Sequence, residues 1–200
     1  MVLLLTVNAL ERLLPTIISR CEIIRLRPAP LQEAQSYLVS AHGLSANQAH
    51  LIAHLAGGRI GAAHQMVKSP DLLAHRAEAL EIFLNLLPAM RTERFKFGEK
   101  ITKSYKDARQ NALDAVSLWL AFWRDVFVRA SGGDLPLVNV DLETQVNQAA
   151  GLLDAKFARR LVIIHEKALE ELDHYANVQL LLEALMLQWP KLSLSPTEAV

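Results

Sequence analysis

Residues 107–130 contain neither proline nor glycine, and they place Leu113, Val116, Leu120, Trp123 and Phe127 at spacings of three and four. A second set, Trp119, Phe122 and Val126, lies beside the first, so the predicted helix is apolar nearly all round. Such a helix has to be wrapped on several sides. It predicts the central member of a helical bundle, with Trp119 and Trp123 in the core beside leucines rather than around a cofactor. The flanking sequence supplies the wrapping. Leu73, Ala77, Leu80, Leu84 and Leu87 recur at helical spacing, as do Leu142, Val146 and Leu153. Phe157, Leu161, Ile164, Ala168 and Leu172 mark another helix. The last, 177–189, carries Val178, Leu181, Leu182, Leu185 and Trp189 and stops at Pro190. Together 71–190 predict five or six helices. "SGGDLP" (131–136) breaks the central one, and the tail "KLSLSPTEAV" is expected to fray.

The sequence before residue 70 has a different texture. "VLLLTV" (2–7) has the composition of a strand buried on both faces. "NALER" follows as a turn, and Pro15 suits the first turn of a short helix. "CEIIRLRPAP" predicts a short extended segment stopped by Pro28 and Pro30. Three short helices follow. The first ends at Gly43, and the second covers 46–56 behind a Ser45/Gln48 capping box and stops at Gly57-Gly58. The third, "RIGAAHQMVK", is closed by Ser69-Pro70.

With 200 residues, 52% of them hydrophobic, the chain can bury a core in one or two domains. Its 21 basic and 21 acidic residues cancel, which argues against a chain that binds nucleic acid on its own. A single cysteine, Cys21, excludes an internal disulfide and fits a reducing cytosol. No apolar run has the length of a membrane span. The start lacks a basic region and a small-residue cleavage site, so no signal peptide is expected.

Several patterns bear on chemistry. His50 and His54, four apart, could present two imidazoles to a metal, but there is no H-E-x-x-H motif and no second ligand cluster; ordinary helix histidines are favoured. Cys21 has no partner at a nucleophile spacing and reads as a small packed side chain. "GGRIG" (57–61) lacks the Walker pattern and follows no strand, so a helix stop is favoured over a phosphate cradle. Residues 91–109 hold seven Lys/Arg against three acids, with Phe95, Phe97 and Tyr105 interleaved. A solvated helix face is favoured there over a nucleic-acid surface.

Arg20 is different in kind. It stands between Ser19 and Cys21 in a mostly apolar run, "LLPTIISRCEIIRL" (13–26), and needs an anion. Either a nearby carboxylate such as Glu11 or Glu22 supplies it, or the arginine is offered to a neighbour's phosphate. Residue types alone leave both open.

The run "LLLTVNALERLLPTIISRCEIIRLRP" resembles the end of the ATPase domain of clamp-loader subunits of the AAA+ class. The resemblance implies that Asn8 stands at the sensor-1 position, that Ser19-Arg20-Cys21 is the Ser-Arg-Cys motif, and that Arg20 is an arginine finger acting in trans. Residues 29–69 resemble the small helical lid of that class. "HYANVQLLLEALML" (174–187) resembles the last helix of the bacterial collar domain. In ATP-hydrolysing subunits a sensor-2 arginine stands where "GRIGAA" (58–63) has Gly61; Arg59 is two residues early, about 200° round a helix. That departure is similar to the delta-prime type of subunit in bacterial DNA polymerase III, which keeps the finger but often does not use ATP.

The resemblance implies a mainly α chain in three parts: 1–28, a remnant of the nucleotide-binding domain; 29–69, the lid; and 70–200, the collar bundle. The Walker loops and most of the sheet would precede residue 1, so the chain is expected to be the C-terminal part of a longer protein. Further implications are no cofactor or metal in this chain, no catalysis by it alone, and ATP and magnesium held by partner subunits. Its partners would be gamma/tau and delta subunits in a cytoplasmic hetero-pentamer that loads a sliding clamp on primed DNA. Two other readings are a shortened gamma/tau-type ATPase and a stand-alone helical adaptor.

Overall fold

The computed structural model describes residues 3–7, 13–103, 107–174 and 177–195. Among them the chain is mainly helical, with ten α-helices and no strand. No helix among the described residues is long and apolar enough to cross a membrane.

A short helix, α1 (Pro15–Ile18), precedes a three-helix module of α2 (Leu31–His42), α3 (Ala46–Leu55) and α4 (Ile60–Lys68). Gly43 closes α2 in the left-handed conformation, φ 66°, and its N–H donates to the Val39 carbonyl. The predicted capping box opens α3: Gln48 N–H donates to Ser45 Oγ at 3.3 Å, and Ser45 N–H to Gln48 Oε1 at 3.2 Å. Gly57 and Gly58, both with positive φ, end it. The module's core is small. Leu38 and Ile52 are its only large buried side chains among the described residues, set among Ala34, Ala49, Ala53, Ala56 and Ala63. Alanines let the three helices approach closely but bury little area each.

The bundle follows: α5 (Pro70–Leu86), α6 (Arg91–Thr102), α7 (Ala108–Ala130), a 3-10 turn at Val140–Leu142, α8 (Glu143–Leu152), α9 (Ala155–Asp173) and α10 (Val178–Leu187). As the pattern predicts, α7 is central, and it packs most extensively on α9. Its inner face takes all of the second predicted set, Trp119, Phe122 and Val126, with Val116 and Trp123 of the first, whereas Leu113, Leu120 and Phe127 are half-buried. Asp154 caps α9 by accepting Phe157 N–H, and Asn177 caps α10 by accepting Leu180 N–H.

Four expectations need correction. Residues 3–7 form no strand, and their leucines and valine are 43–84% exposed. Residues 22–30 likewise have no ladder partner. A strand satisfies its backbone only against another strand, and the described residues contain none. On α5, Ala77 faces solvent and Phe83 is fully buried, because the helix turns its Leu80–Phe83–Leu87 edge to α7. The tail to Ser195 is pinned. Leu192 is buried and its N–H donates to the Leu87 carbonyl; Ser195 exchanges two hydrogen bonds with the Gln148 amide.

The fourth correction concerns Arg94, which lies in the basic run but is buried. Its Nε donates to Leu86 O, Nη1 to Met186 O and Trp189 O, and Nη2 to Leu87 O and Pro190 O. All five N–H groups of a guanidinium are thereby used. Leu86 and Leu87 end α5; Met186, Trp189 and Pro190 lie at the end of α10. Burial lowers the Arg94 pKa from its ordinary value. Arg94→Met should reduce the unfolding free energy by about 3–5 kcal/mol, since it strands buried carbonyls. Arg94→Lys should recover only part, because an ammonium has three N–H groups. Urea titrations of the three proteins check this, and a loss below about 1 kcal/mol for Arg94→Met would contradict the role.

The second polar group in the core is His165, fully buried on α9. Its Nδ1 bonds the Leu161 carbonyl at 2.6 Å, and its Nε2 accepts the Trp189 indole N–H at 3.1 Å. That arrangement requires a neutral ring protonated at Nδ1. Burial pushes its pKa from 6.5 down to about 4, opposed in part by the Leu161 bond. Between those values the unfolded chain binds the proton and the folded chain does not. Stability contributed by the neutral ring is therefore complete above pH 6.5 and falls as pH drops towards 4, by at most about 1.4 kcal/mol per pH unit. Denaturant midpoints followed by tryptophan fluorescence should decline over that window, and His165→Leu should flatten the decline while lowering stability at pH 7.

Candidate functional site

The stretch around Arg20 is built on a single helical turn. Leu14 precedes α1 in extended conformation, and Pro15 opens the helix where its missing N–H costs nothing. The turn ends at Ser19, whose N–H donates to the Pro15 carbonyl. The Thr16 carbonyl then accepts twice, from Ser19 Oγ at 3.2 Å and from Arg20 Nη1 at 3.0 Å. This uses one of the five guanidinium N–H groups and turns the Arg20 side chain back along α1. Arg20, Ser19 and Cys21 are all exposed, and Cys21 is a free thiol. Among the described residues Arg20 makes no ion pair, and Glu22 is not its partner. Glu11 and Asn8 lie outside the described residues.

The segment after Cys21 is tied to the helical module at one point. Ala29 N–H donates to the Gly58 carbonyl at 2.9 Å. Gly58 has φ +74°, and a Cβ there would stand 2.0 Å from the Ala29 carbonyl oxygen. Only glycine permits this approach. Gly61, at the position of the sensor-2 arginine in the resemblance, is exposed on the first turn of α4 with open space around it. Arg59 is bound elsewhere, its Nε donating to the Ala56 carbonyl.

The other candidates separate. His54 Nδ1 bonds the Leu137 carbonyl at 2.6 Å, and its ring lies 4.4 Å from that of His50. Among the described residues no group of three or more His, Cys, Asp or Glu could hold a metal ion. In the basic run, Phe97 packs towards Trp119 and Phe95 is half-buried, so neither offers a free ring for stacking bases. Arg91, Lys96, Lys100 and Lys103 are solvated. Tyr105 lies outside the described residues. An open groove of about 630 Å³ runs between α5, α6 and α7, floored by Ile82, Phe97, Ile101 and Leu118. Glu78, Asp114, His75, Arg76 and Lys100 also line it.

Sequence reasoning missed three polar constellations. Arg94 is one, and His165 with Trp189 another. The third joins α5 to the loop after α7: Arg76 bonds both oxygens of Asp141 and also Asn139 Oδ1, while Asp125 accepts from Asn139 and from Val138 N–H. The first two had a visible signal. Arg94 shares helical spacing with Phe97, Gly98 and Ile101, and His165 with Leu161, Ala168 and Leu172. The third, formed across 63 and 65 residues, had none.

No family model matches this chain, and no curated protein matches it.

The Gly58 contact yields a test. Gly58→Ala combines a left-handed alanine, roughly 1–2 kcal/mol, with a backbone overlap that only displacement of Ala29 relieves. The Ala29 amide should lose its protection in hydrogen exchange, while the amides of α7 and α9 keep theirs. Unchanged protection at Ala29 would show that the segment is held by something other than this contact.

Proposed function

We propose that this chain acts as a non-catalytic, delta-prime-type subunit of a bacterial DNA polymerase III clamp loader. In this reading the residues 70–200 belong to a collar, 29–69 to the lid, and 1–28 to the end of a nucleotide-binding domain. The complex acts in the cytoplasm, where neighbouring gamma/tau subunits hold ATP and magnesium, and the assembled pentamer opens a sliding clamp and places it on primed DNA. The observation that carries the proposal is the state of Arg20. It is exposed within a Ser-Arg-Cys context, and the one side-chain hydrogen bond it makes among the described residues is to the Thr16 carbonyl. Among the described residues no carboxylate pairs with it.

The physical role follows from guanidinium chemistry. In phosphoryl transfer, negative charge spreads over the equatorial oxygens of the γ-phosphate. A planar fork with several unspent N–H groups stabilises that charge in a way that an ammonium does not. The Thr16 bond orients the fork before a phosphate arrives, which lowers the ordering cost of reaching it. Gly61 supports the non-catalytic assignment, because it offers no side chain to a nucleotide on this chain's own lid.

Arg20→Ala, in the assembled loader, should leave assembly and melting temperature nearly unchanged and slow DNA-stimulated ATP hydrolysis. The loss should approach 10³–10⁵ at the one site served, an order of magnitude typical of arginine fingers, with a smaller fall in total turnover. Arg20→Lys should rescue poorly. A variant that melts several degrees lower yet hydrolyses ATP at the parent rate would make Arg20 a structural residue and remove the proposal's main support.

A further inference from the structure

The three-helix module contains a histidine pair that the sequence does not reveal. His42 ends α2 and His64 lies within α4, 22 residues apart. Both are half-buried. His64 Nδ1 and His42 Nε2 face each other at 3.2 Å, with ring centroids 5.0 Å apart. The Tyr37 ring stands edge-on to His42, 5.9 Å away at 82°, and restricts its rotamers.

We propose that His42 Nε2 and His64 Nδ1 together bind one borderline-soft divalent transition ion, of the zinc or nickel class. The argument is geometric. Two imidazole nitrogens on a tetrahedral zinc, each about 2.0–2.1 Å from it, stand about 3.3 Å apart. The two facing nitrogens are within a few tenths of an ångström of that separation. They come from different helices, so the ion is a clip across the module rather than a decoration of one helix. α2 packs mainly on α3 and touches α4 least, so the clip falls where the module's packing is weakest. Imidazole suits zinc, nickel and copper and not magnesium or calcium, which sets the class. The pair is the whole protein ligand set among the described residues, since no cluster of three ligating side chains occurs there. Water completes the coordination, and the ion exchanges with its surroundings. An ion that binds the folded pair in preference to the unfolded chain raises stability by mass action.

The test uses the full chain without a polyhistidine tag, titrated calorimetrically with zinc chloride alone. One saturable site is expected, with the melting temperature rising by a few degrees. His42→Ala and His64→Ala should each weaken binding tenfold or more. His50→Ala should leave it unchanged, which separates this site from the pair on α3. Nitrogen-detected NMR of the histidine rings should show zinc-dependent shifts at Nε2 of His42 and Nδ1 of His64. If His42→Ala unfolds, His42→Gln keeps the bulk and removes a good zinc ligand. No saturable binding would make the pair a simple hydrogen bond and overturn the proposal. A loss confined to His50→Ala, or spread equally over all three variants, would place the ion elsewhere and overturn it too.

Discussion

Two helices of this protein end at the same point, and an end of a helix cannot be buried without donors for its last carbonyls. α5 and α10 converge there, and Arg94 supplies donors for both. Each helix end carries about half a unit of negative charge, so two together amount to roughly the one positive charge of a guanidinium. This explains how a buried arginine persists with no carboxylate partner among the described residues. The arrangement also fixes the tail. The Leu87 carbonyl that accepts from Arg94 accepts again from Leu192, which carries the chain past Pro190 and onto α8. That junction adds a common polar reference point for α6, α10 and the tail.

A second polar set determines how the small module meets the bundle. The loop after α7 is held down by Asp125 from below and by Arg76 from the side, with Asn139 bridging them. The same loop presents the Leu137 carbonyl to His54 on α3. The module therefore meets the bundle through this loop as well as through α5, whose Leu73 packs against the module's core. Polar contacts of this sort are directional, and each is worth about 1 kcal/mol net. They specify an orientation more than they supply stability.

Most of the helical architecture was legible because periodicity, caps and breakers all pointed the same way. The Ser45/Gln48 box, Gly43 and Pro190 fall where the pattern puts them. The central helix was legible as buried, though not which residues of its two apolar sets face inward, since both sets have helical spacing. The strand at 2–7 was misread, because continuous apolar composition describes what a segment could bury and not whether a partner is present. The basic run hid Arg94, because local charge counting ignores which face a cation occupies. For the candidate site, the Ser19-Arg20-Cys21 context was visible, while the Thr16 carbonyl that orients Arg20 became visible only in three dimensions. Contacts across dozens of residues, such as Arg76 with Asp141, leave no trace in local pattern.

Trp189 serves four neighbours with three different parts of one ring system. Its N–H satisfies His165, its face lies 5.6 Å from the Arg94 guanidinium carbon, and it meets Phe83 and Trp119 at nearly right angles. No other side chain offers a donor, a π-face and that bulk together. One side chain thereby couples positions far apart in the chain. The solvated faces of α6 and α9 are free to drift one residue at a time. Positions 165 and 189 depend on each other, because replacing either side chain leaves the other's ring nitrogen without its partner, whereas Arg94, satisfied by carbonyls, would lose only a π-face.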